Sequence, residues 1–252
     1  MTGNEWPIFV ISLSDSVDRR DNILRQFHEV GININFIDAI DGRKGLPSIY
    51  DDKIDRDGAF SILGRNMSDG EFACALSHRM AYEKVINSNL PGAIILEDDA
   101  IISDEFAEFM AERLYLRYEF VQFDYDRAFC WKKSIEKASS RIKIGSLWKD
   151  TYLATGYSLS RDAAAYIIQS SSPIKGVADW PCALSPLEPA VTIPRLVRQP
   201  DPNNDEDHSL LKSDRDLLML NMDKKINRAS RFFKRSYWKT WFVKRFLVTR
   251  IG

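Results

Sequence analysis

The sequence predicts an α/β fold, a mixed, Rossmann-like sheet flanked by helices, and three observations lead to it. An apolar run from Trp6 to Leu13 is followed by apolar residues at helical spacing as far as Val30, and then by a strand pattern over residues 32–40. A further strand pattern begins at residue 93 with four apolar residues, and strand and helix patterns keep alternating as far as residue 169. A strand–helix–strand unit joins parallel strands, so most of the sheet is expected to be parallel.

The segment from Ala93 to Ile102 places three consecutive carboxylates, Glu97, Asp98 and Asp99, directly after four apolar residues. An apolar run without polar alternation predicts a strand that is buried on both faces. Because ligands of open α/β sheets bind outside the carboxyl ends of the strands, the acids indicate a site for a divalent cation and a phosphorylated substrate. The alternative is a solvated acidic turn that caps the next helix.

Composition limits the class of protein. With 252 residues, of which 44% are hydrophobic, the chain can bury one large core or two small ones. Charged residues from Asp15 onward interrupt the first apolar run, so no signal peptide is predicted, and nowhere do 18 apolar residues run together. Cys74, Cys130 and Cys182 are widely spaced without a CxxC motif, which predicts reduced thiols in a cytoplasmic protein and suggests neither disulfides nor zinc.

The net charge of −1 hides a strong asymmetry along the chain. Ten of the 35 basic residues and none of the 36 acidic residues lie from Lys224 to the end, so 25 basic residues against 36 acidic ones give the remainder a charge of −11. This change divides the chain into a domain over residues 1–222 and a basic, aromatic segment over 223–252. From Ile226 to Trp241 a basic row and an apolar row share helical spacing, which predicts an amphipathic helix on an anionic membrane surface. Nucleic acid is the alternative partner, but no nucleic-acid-binding motif accompanies the segment.

The N-terminal unit lacks the common phosphate-binding loops. Neither GxGxxG nor GxxxxGK[ST] is present, so any nucleotide must be held in another way. Ser14 and Asp15 can cap the first helix, and Arg19 and Arg20 on that helix can reach a diphosphate. Two arginines on a solvated helix face are the simpler interpretation.

The middle of the chain combines an irregular segment with a well-marked helix. Residues 43–67 lack periodicity and alternate Gly, Pro, Asp and Arg, which predicts a loop over the site. Ser68 and Glu71 have capping-box spacing and predict the start of a helix with one apolar stripe. His78 lies on that helix near Cys74, and we interpret it as a packing residue rather than as a base.

Shorter elements follow the acidic strand. Ser103 is expected to cap a helix, residues 120–123 to form a strand, and Ser160 to cap another helix over 162–169. Between them, residues 142–147 and 152–159 predict short strands. Gly156 within the last of these lets a ligand approach the backbone closely, and a simple β-bulge explains it equally well.

Two further positions have chemical potential. Asp179 precedes Trp180 in a proline-bounded loop, where an indole can support a sugar face and a carboxylate can accept a hydroxyl proton. Asp179 can equally cap a turn. His208 lies in a polar, turn-rich segment that we interpret as a mobile loop or lid, and it is either a metal ligand or a solvated loop residue.

Several of these pieces, in this order, resemble the bacterial glycosyltransferase family 25, the lipopolysaccharide and lipooligosaccharide sugar transferases related to the collagen galactosyltransferases. The matching pieces span about the first two-thirds of the chain. They are Val10-Ile11-Ser12-Leu13 with Asp18-Arg19-Arg20, Ile37-Asp38-Ala39-Ile40-Asp41-Gly42, Ser68-Asp69-Gly70-Glu71 with Cys74-Ala75-Leu76-Ser77-His78, Leu96-Glu97-Asp98-Asp99, and Thr155-Gly156-Tyr157.

The resemblance implies a GT-A-like fold, a UDP-hexose donor carrying galactose or glucose, and inversion at the anomeric carbon. It implies Mn²⁺ or Mg²⁺ as cofactor, with Asp99 as the main ligand. His208 lies beyond the matching pieces and is a further candidate only from its place in the polar segment. The donor is then expected to contact the remaining matched positions, which are Ser12, Leu13, Arg19, Arg20, Asp38, Glu97, Asp98, Gly156 and Tyr157. A lipid-linked oligosaccharide acceptor would place the protein on the cytoplasmic face of the inner membrane.

Inversion by direct displacement also needs a base for the acceptor hydroxyl, and Asp179 is our candidate. Two other functions stay open from the sequence. A sugar nucleotidyltransferase would share an acidic, metal-binding strand but would bring a Gly-rich phosphate loop, and a non-catalytic, membrane-docked binding protein would need no chemistry at the strand end.

Overall fold

The computed structural model describes residues 5–200 and 240–252. The five α-helices of this part are α1 (Val17–Glu29), α2 (Arg56–Leu63), α3 (Asp69–Asn87), α4 (Glu105–Ala111) and α5 (Arg161–Ser170). Its strands are β1 (Ile8–Ser12), β2 (Asn35–Asp38), β3 (Gly92–Glu97), β4 (Ile101–Ile102), β5 (Phe120–Gln122), β6 (Ala128–Trp131), β7 (Glu136–Lys137), β8 (Lys143–Ser146), β9 (Gly156–Ser160), β10 (Ala190–Ile193), β11 (Val197–Arg198) and β12 (Val248–Ile251).

Eight of the strands form one mixed sheet in the order β2-β1-β3-β9-β5-β10-β8-β7. Strands β2, β1 and β3 are mutually parallel, and β9 runs antiparallel to both β3 and β5. Strand β10 is parallel to β5 and antiparallel to β8. The carboxyl ends of β1, β2, β3, β5 and β10 therefore share one edge of the sheet, which we call the carboxyl edge.

Helices cover both faces of this sheet. On one face, α1 and α4 pack Phe27 and Phe106 against Ile94 and Leu96 of β3. On the other, α3 and α5 pack against Ala93 and Ile95 together with the rest of a second core. All residues of β3 before Glu97 are buried, so the prediction of a strand buried on both faces is confirmed.

Two of the predicted helix caps are present. Ser68 and Glu71 form the complete capping box of α3, and the Ser160 hydroxyl accepts the amide of Ala163 at the start of α5. Two other caps were wrong. Helix α1 begins after Ser16 without a side-chain cap, and Ser103 contributes its backbone carbonyl rather than its hydroxyl to the amide of Phe106.

The predicted loop over residues 43–67 contains two helical elements. A 3₁₀ helix covers Ser48–Lys53, and α2 follows with Asp55 as its cap, whose carboxylate accepts the amide of Gly58. The buried Ala59 of α2 packs with Phe72 of α3 in a small third core. This segment lacks a visible apolar stripe because α2 has only eight residues, few of which face the interior.

The predicted C-terminal helix falls partly on residues outside those described. In the segment that follows it, Val243–Leu247 form a π-helical turn and Val248–Ile251 form β12, which pairs antiparallel with β6. The end of the basic, aromatic segment is therefore a strand and not a helix. No α-helix within 5–200 or 240–252 is long and apolar enough to span a bilayer.

Candidate active site

The three acids lie at the carboxyl edge, where Glu97 is the last residue of β3 and Asp98 and Asp99 lie in the turn that follows. The side chains of Glu97 and Asp98 are only 23% and 12% exposed, and Asp99 Oδ1 is buried. The following helix, α4, begins after Asp104 without any side-chain cap. The alternative of a solvated acidic turn that caps this helix is therefore excluded.

The negative charge of Asp98 is compensated by residues of the N-terminal unit. The Ser12 hydroxyl at the end of β1 donates to Asp98 Oδ2 over 2.7 Å, and the Arg19 guanidinium lies 3.4 Å from Asp98 Oδ1. Arg19 is partly exposed and extends from the first turn of α1. Ser12, Arg19 and Asp98 are thus brought together, as the sequence led us to expect of donor-binding residues.

Arg20 has a different position from the one that the sequence suggested. Its guanidinium donates to the carbonyls of Ser12 and Leu13 and to the Asp38 carboxylate, and it stacks over the ring of Phe36. These contacts join the ends of β1 and β2. Arg20 therefore shapes the carboxyl edge rather than extending from a solvated helix face.

Glu97 ends a chain of hydrogen bonds that leads into the core. Its Oε1 lies 3.1 Å from His78 Nε2, and His78 Nδ1 lies 2.7 Å from the Tyr157 hydroxyl. The Tyr157 hydroxyl lies 2.7 Å from that of Tyr82. Because both tyrosines are buried, Tyr157 reaches the carboxyl edge through His78 and not by its own side chain.

Gly156 lies at the start of β9, beneath the site. A Cβ at this position would lie 2.9 Å from Val197 and 3.0 Å from Leu96. Core side chains therefore fill the space beside Gly156. Glycine is required here because these side chains, and not a ligand, approach the backbone closely.

Asp99 has the least compensated charge of the three acids. Burial, together with the neighbouring carboxylates of Glu97 and Asp98, raises the pKa of Asp99 to about 7, although Arg19 opposes the shift. Within the described residues no hydrogen bond reaches its Oδ1. A buried oxygen of this kind, flanked by two more carboxylates, is a suitable ligand for a hard divalent cation.

Asp179 also lies near the carboxyl edge. Its Oδ1 accepts the amide of Ala154 over 2.9 Å, and the carbonyl of the next residue, Thr155, accepts the amide of Glu97. The turn-capping alternative is thus realised, and it leaves Asp179 half-buried next to the strand that borders the acids.

Trp180 does not form the open platform that we expected. Its ring packs edge-on against Phe120 and Tyr157, and its indole N–H donates to the carbonyl of Thr151 over 2.7 Å. It fixes the loop that carries Asp179. The other predicted metal ligand, His208, lies outside the described residues.

Sequence reasoning missed the part that His78 plays at the carboxyl edge. We had set it aside as a packing residue, and it is buried, but it contacts Glu97 directly. No spacing along the chain signals this contact, because it joins α3 to the end of β3 through tertiary packing.

Comparison with known proteins gives one family and several relatives. A family model described as "Glycosyltransferase family 25 (LPS biosynthesis protein)" matches residues 5–182. The chain is 32% identical over 164 residues to the lipooligosaccharide biosynthesis protein lic2B of Haemophilus influenzae, covering 62% of this chain and 59% of that protein. It is 31% identical over 124 residues to the lacto-N-neotetraose biosynthesis glycosyltransferase LgtB of Neisseria gonorrhoeae, covering 48% and 40%.

A eukaryotic relative also matches the chain. Procollagen galactosyltransferase 2 of Homo sapiens is 26% identical over 178 residues, which cover 64% of this chain and 27% of that protein. The chain thus spans less than two-thirds of the length of these curated relatives.

Proposed function

The chain belongs to glycosyltransferase family 25, and from this membership we propose that it transfers galactose or glucose from a UDP-sugar to a lipopolysaccharide or lipooligosaccharide core acceptor. We assign it a GT-A-like fold on the same basis. The observation that carries the proposal is the buried, uncompensated Asp99 at the carboxyl edge. Relatives named for lipooligosaccharide and lacto-N-neotetraose biosynthesis support the class of acceptor.

The residues at the carboxyl edge fit a bound Mn²⁺ or Mg²⁺. Asp99 would hold the metal, because its oxygen is buried without a partner among the described residues and a cation would restore the balance of charge. When bound, the metal neutralises negative charge on a leaving diphosphate. His208 remains a candidate for a further ligand.

The nucleotide is proposed to bind over the ends of β1 and β2. Ser12 and Leu13 lie at the first end and Asp38 at the second, and the Asp38 side chain is 72% exposed and so accessible to ribose hydroxyls. Arg20 holds these positions together, and Arg19 beside Asp98 supplies positive charge for the diphosphate.

We assign Asp179 as the base of an inverting displacement. The acceptor oxygen attacks the anomeric carbon, its proton passes to Asp179, and the bond to UDP breaks with its electron pair leaving on the diphosphate, so that a β-linkage forms. Asp179 is held by the amide of Ala154, beside the strand next to the acids. The hydrogen bond from Ala154 thus orients the carboxylate.

One exposed surface of the protein supports the proposal of a membrane-bound acceptor. Trp131, Trp241, Phe242 and Phe246 are between 37% and 52% exposed. The rings of Trp241 and Phe242 contact that of Phe246 just before β12, and Trp131 of β6 pairs with Val248 of β12. We call the four aromatic side chains the aromatic face. Exposed cations lie among them, namely Lys132, Lys133, Lys244 and Arg245. Aromatic rings and cations together suit the interface of an anionic membrane, and we propose that this face docks on the cytoplasmic leaflet of the inner membrane.

Calorimetry with UDP-galactose and UDP-glucose, with and without Mn²⁺, tests the metal and the donor. We expect Mn²⁺-dependent donor binding by the wild type and its loss in Asp99→Ala. Asp104→Ala is the matched control, since Asp104 is an exposed acid five residues later whose side chain caps no helix. Unchanged affinity in Asp99→Ala would refute its role.

Release of UDP, measured with and without lipid-linked oligosaccharide, tests the reaction. Transfer or donor hydrolysis supports the transferase. Formation of a sugar nucleotide from UTP and a hexose 1-phosphate would favour a nucleotidyltransferase instead, and the absence of any nucleotide binding would favour a non-catalytic binding protein.

A further inference from the structure

Cys74, His78 and Glu97 lie together at the inner side of the acidic turn. The first two lie four residues apart on α3, and the third ends β3, so one helix face is directed at the end of one strand. The Sγ of Cys74, a ring nitrogen of His78 and a carboxylate oxygen of Glu97 all lie within 4.8 Å of one another. Three different side-chain groups, a thiol, an imidazole and a carboxylate, therefore lie close together.

This donor set differs in kind from that of the acidic turn. Oxygen-only sites suit Mg²⁺ and Mn²⁺, whereas sulfur with imidazole nitrogen suits Zn²⁺. Tetrahedral zinc with bonds of about 2.0–2.3 Å places its ligand atoms roughly 3.3–3.8 Å apart. Because the three atoms are already within 4.8 Å, shifts of about 1 Å or less would complete such a geometry.

His78 is held in a way that suits a metal ligand. Its Nδ1 lies 2.7 Å from the Tyr157 hydroxyl, which is itself supported by Tyr82, and its Nε2 is directed at Glu97. With a cation on Nε2, the imidazole proton resides on Nδ1 and is donated to Tyr157. Outer partners of this kind orient a ligating histidine and fix its tautomer.

We propose that Cys74, His78 and Glu97 form a zinc site distinct from the Mn²⁺ or Mg²⁺ position at Asp99, and that zinc bound there inhibits the protein. Binding releases the thiol proton of Cys74 to solvent and leaves a thiolate on the metal. Zinc takes Glu97 as a ligand, so this carboxylate is withdrawn from the carboxyl edge. Cys74 itself is no part of the donor or acceptor machinery, so the zinc site can be changed at this position without altering a residue of the reaction.

Binding of the metal alone tests the site and does not rest on the proposed function. Co²⁺, which replaces Zn²⁺ and absorbs light, is titrated into the purified protein. A thiolate-to-cobalt charge-transfer band in the near ultraviolet is expected for the wild type and is expected to disappear on addition of Zn²⁺. A protein that shows no such band has no site of this composition, and the proposal is then wrong.

Three variants identify the ligands. Cys74→Ser should lose the band and weaken zinc binding by at least about 100-fold, whereas Cys182→Ser, which removes another half-buried thiol, should retain both. Tyr157→Phe keeps the ring but removes the support of His78, and should weaken zinc binding by about 10–100-fold. Circular dichroism confirms that each variant is folded. Equal zinc affinity in Cys74→Ser and wild type, or loss of the band in Cys182→Ser alone, would overturn the assignment.

The proposal that zinc inhibits the protein rests on the proposed function. The following experiment distinguishes failure of the zinc proposal from failure of the proposed function. With Mn²⁺ present, Zn²⁺ should suppress UDP release by the wild type, and Cys74→Ser should need at least about tenfold more zinc for the same effect. Equal inhibition of both proteins would contradict the inhibitory role. A protein that binds Co²⁺ through Cys74 but shows no transfer would retain the zinc site and lose the proposed function.

Discussion

Asp98 and Asp99 are identical neighbours in opposite environments. Asp98 receives a hydroxyl from Ser12 and a guanidinium from Arg19, whereas the pKa of Asp99 rises to about 7 because burial is not matched by an equal number of donors. In a turn after a strand, consecutive side chains can have different surroundings, as these two do. One acid therefore stabilises the carboxyl edge, and the other is left for a ligand.

Asp179→Asn separates the proposed base from its structural contact. The asparagine carbonyl can still accept the amide of Ala154, so the loop should stay in place while the charge is lost. We expect nearly unchanged donor binding and a fall in the transfer rate of about 10²–10⁴-fold. Calorimetry and UDP release measure the two quantities, and an active variant would remove Asp179 from this role.

Helix α3 is the element that connects the carboxyl edge to the rest of the fold. Its first turn is fixed by the capping box of Ser68 and Glu71, Ser77 accepts the amide of Ile40 after β2, and His78 contacts Glu97 after β3. A shift of this helix would therefore move the surroundings of both strands. Its start is correspondingly the best-marked helix boundary in the sequence.

Arg65→Met tests how firmly that start is held. Arg65 forms two hydrogen bonds with the Glu71 carboxylate, whose side chain is only 2% exposed. Removing the arginine leaves a buried, uncompensated carboxylate, so we expect the free energy of unfolding to fall by about 3 kcal/mol, as measured by urea denaturation.

The double variant Arg65→Met/Glu71→Gln is the control for that measurement. Glutamine is neutral and can still accept the amide of Ser68, so it should recover much of the loss. A single variant as stable as the wild type would show that the pair contributes little to the start of α3.

Glu108 on α4 gives a prediction about pH. Hydrogen bonds from Ser139, Arg141 and Ser140 lower the pKa of its carboxyl from 4.5 to about 2. Because the folded-state pKa lies below that of the unfolded chain, ionised Glu108 stabilises the native state above pH 4.5, and this contribution is lost as the pH falls through about 2.

We therefore expect Glu108→Gln to lower the melting temperature at pH 7. The melting temperature of the variant should approach that of the wild type as the pH falls from 4.5 to about 2. Thermal unfolding at several pH values measures this. Glu112→Gln, which alters an exposed acid at the end of the same helix, should show no such convergence. A gap between Glu108→Gln and wild type that is independent of pH would contradict the assignment.

At the scale of the whole molecule, the aromatic face is joined to the sheet-bearing body by β12. Val248 of this strand is buried, and β12 pairs with all four residues of β6. Deletion of the complete basic segment would therefore also expose β6, and it would not test membrane binding alone. Point changes on the aromatic face avoid this problem.

The triple variant Trp241→Ser/Phe242→Ser/Phe246→Ser should bind anionic vesicles at least about tenfold more weakly than the wild type, since each ring buries apolar area in the interface. Vesicle co-sedimentation with phosphatidylglycerol-containing and neutral lipids measures this. Exposed Ile49→Ser/Phe60→Ser/Ile62→Ser is the matched control on another surface. Donor hydrolysis should be unchanged, and unaltered vesicle binding would count against the aromatic face.

The predictable parts of the fold were those specified by local signals. The unit β1–α1–β2, the capping box at Ser68 and the double burial of β3 all depend on a few neighbouring residues. The insertion of β9, in reverse direction, between β3 and β5 depends on pairing between distant segments, and no local pattern encodes it. Helix α2 was missed because it is short and contains Gly58, which lowers helix propensity.

The same distinction applies to the candidate site. The position of the three acids at the carboxyl edge could be predicted because they are consecutive at the end of one strand, and this position is confirmed. The contact of His78 with Glu97 joins a helix to a strand through tertiary packing, and the edge-on packing of Trp180 depends on Phe120 and Tyr157. Neither follows from spacing along the chain.

The pairing of β12 with β6 also sets an order of events during synthesis. Every strand of the eight-stranded sheet precedes residue 200, so all of them are made before Val248 can add to β6. Because domains fold as the chain emerges, N-terminal parts first, the carboxyl edge can assemble on the ribosome while the aromatic face is still incomplete. Limited proteolysis of stalled nascent chains would report this order. A newly made chain would thus complete the proposed nucleotide site before the proposed docking face, which would delay docking until the sheet has formed.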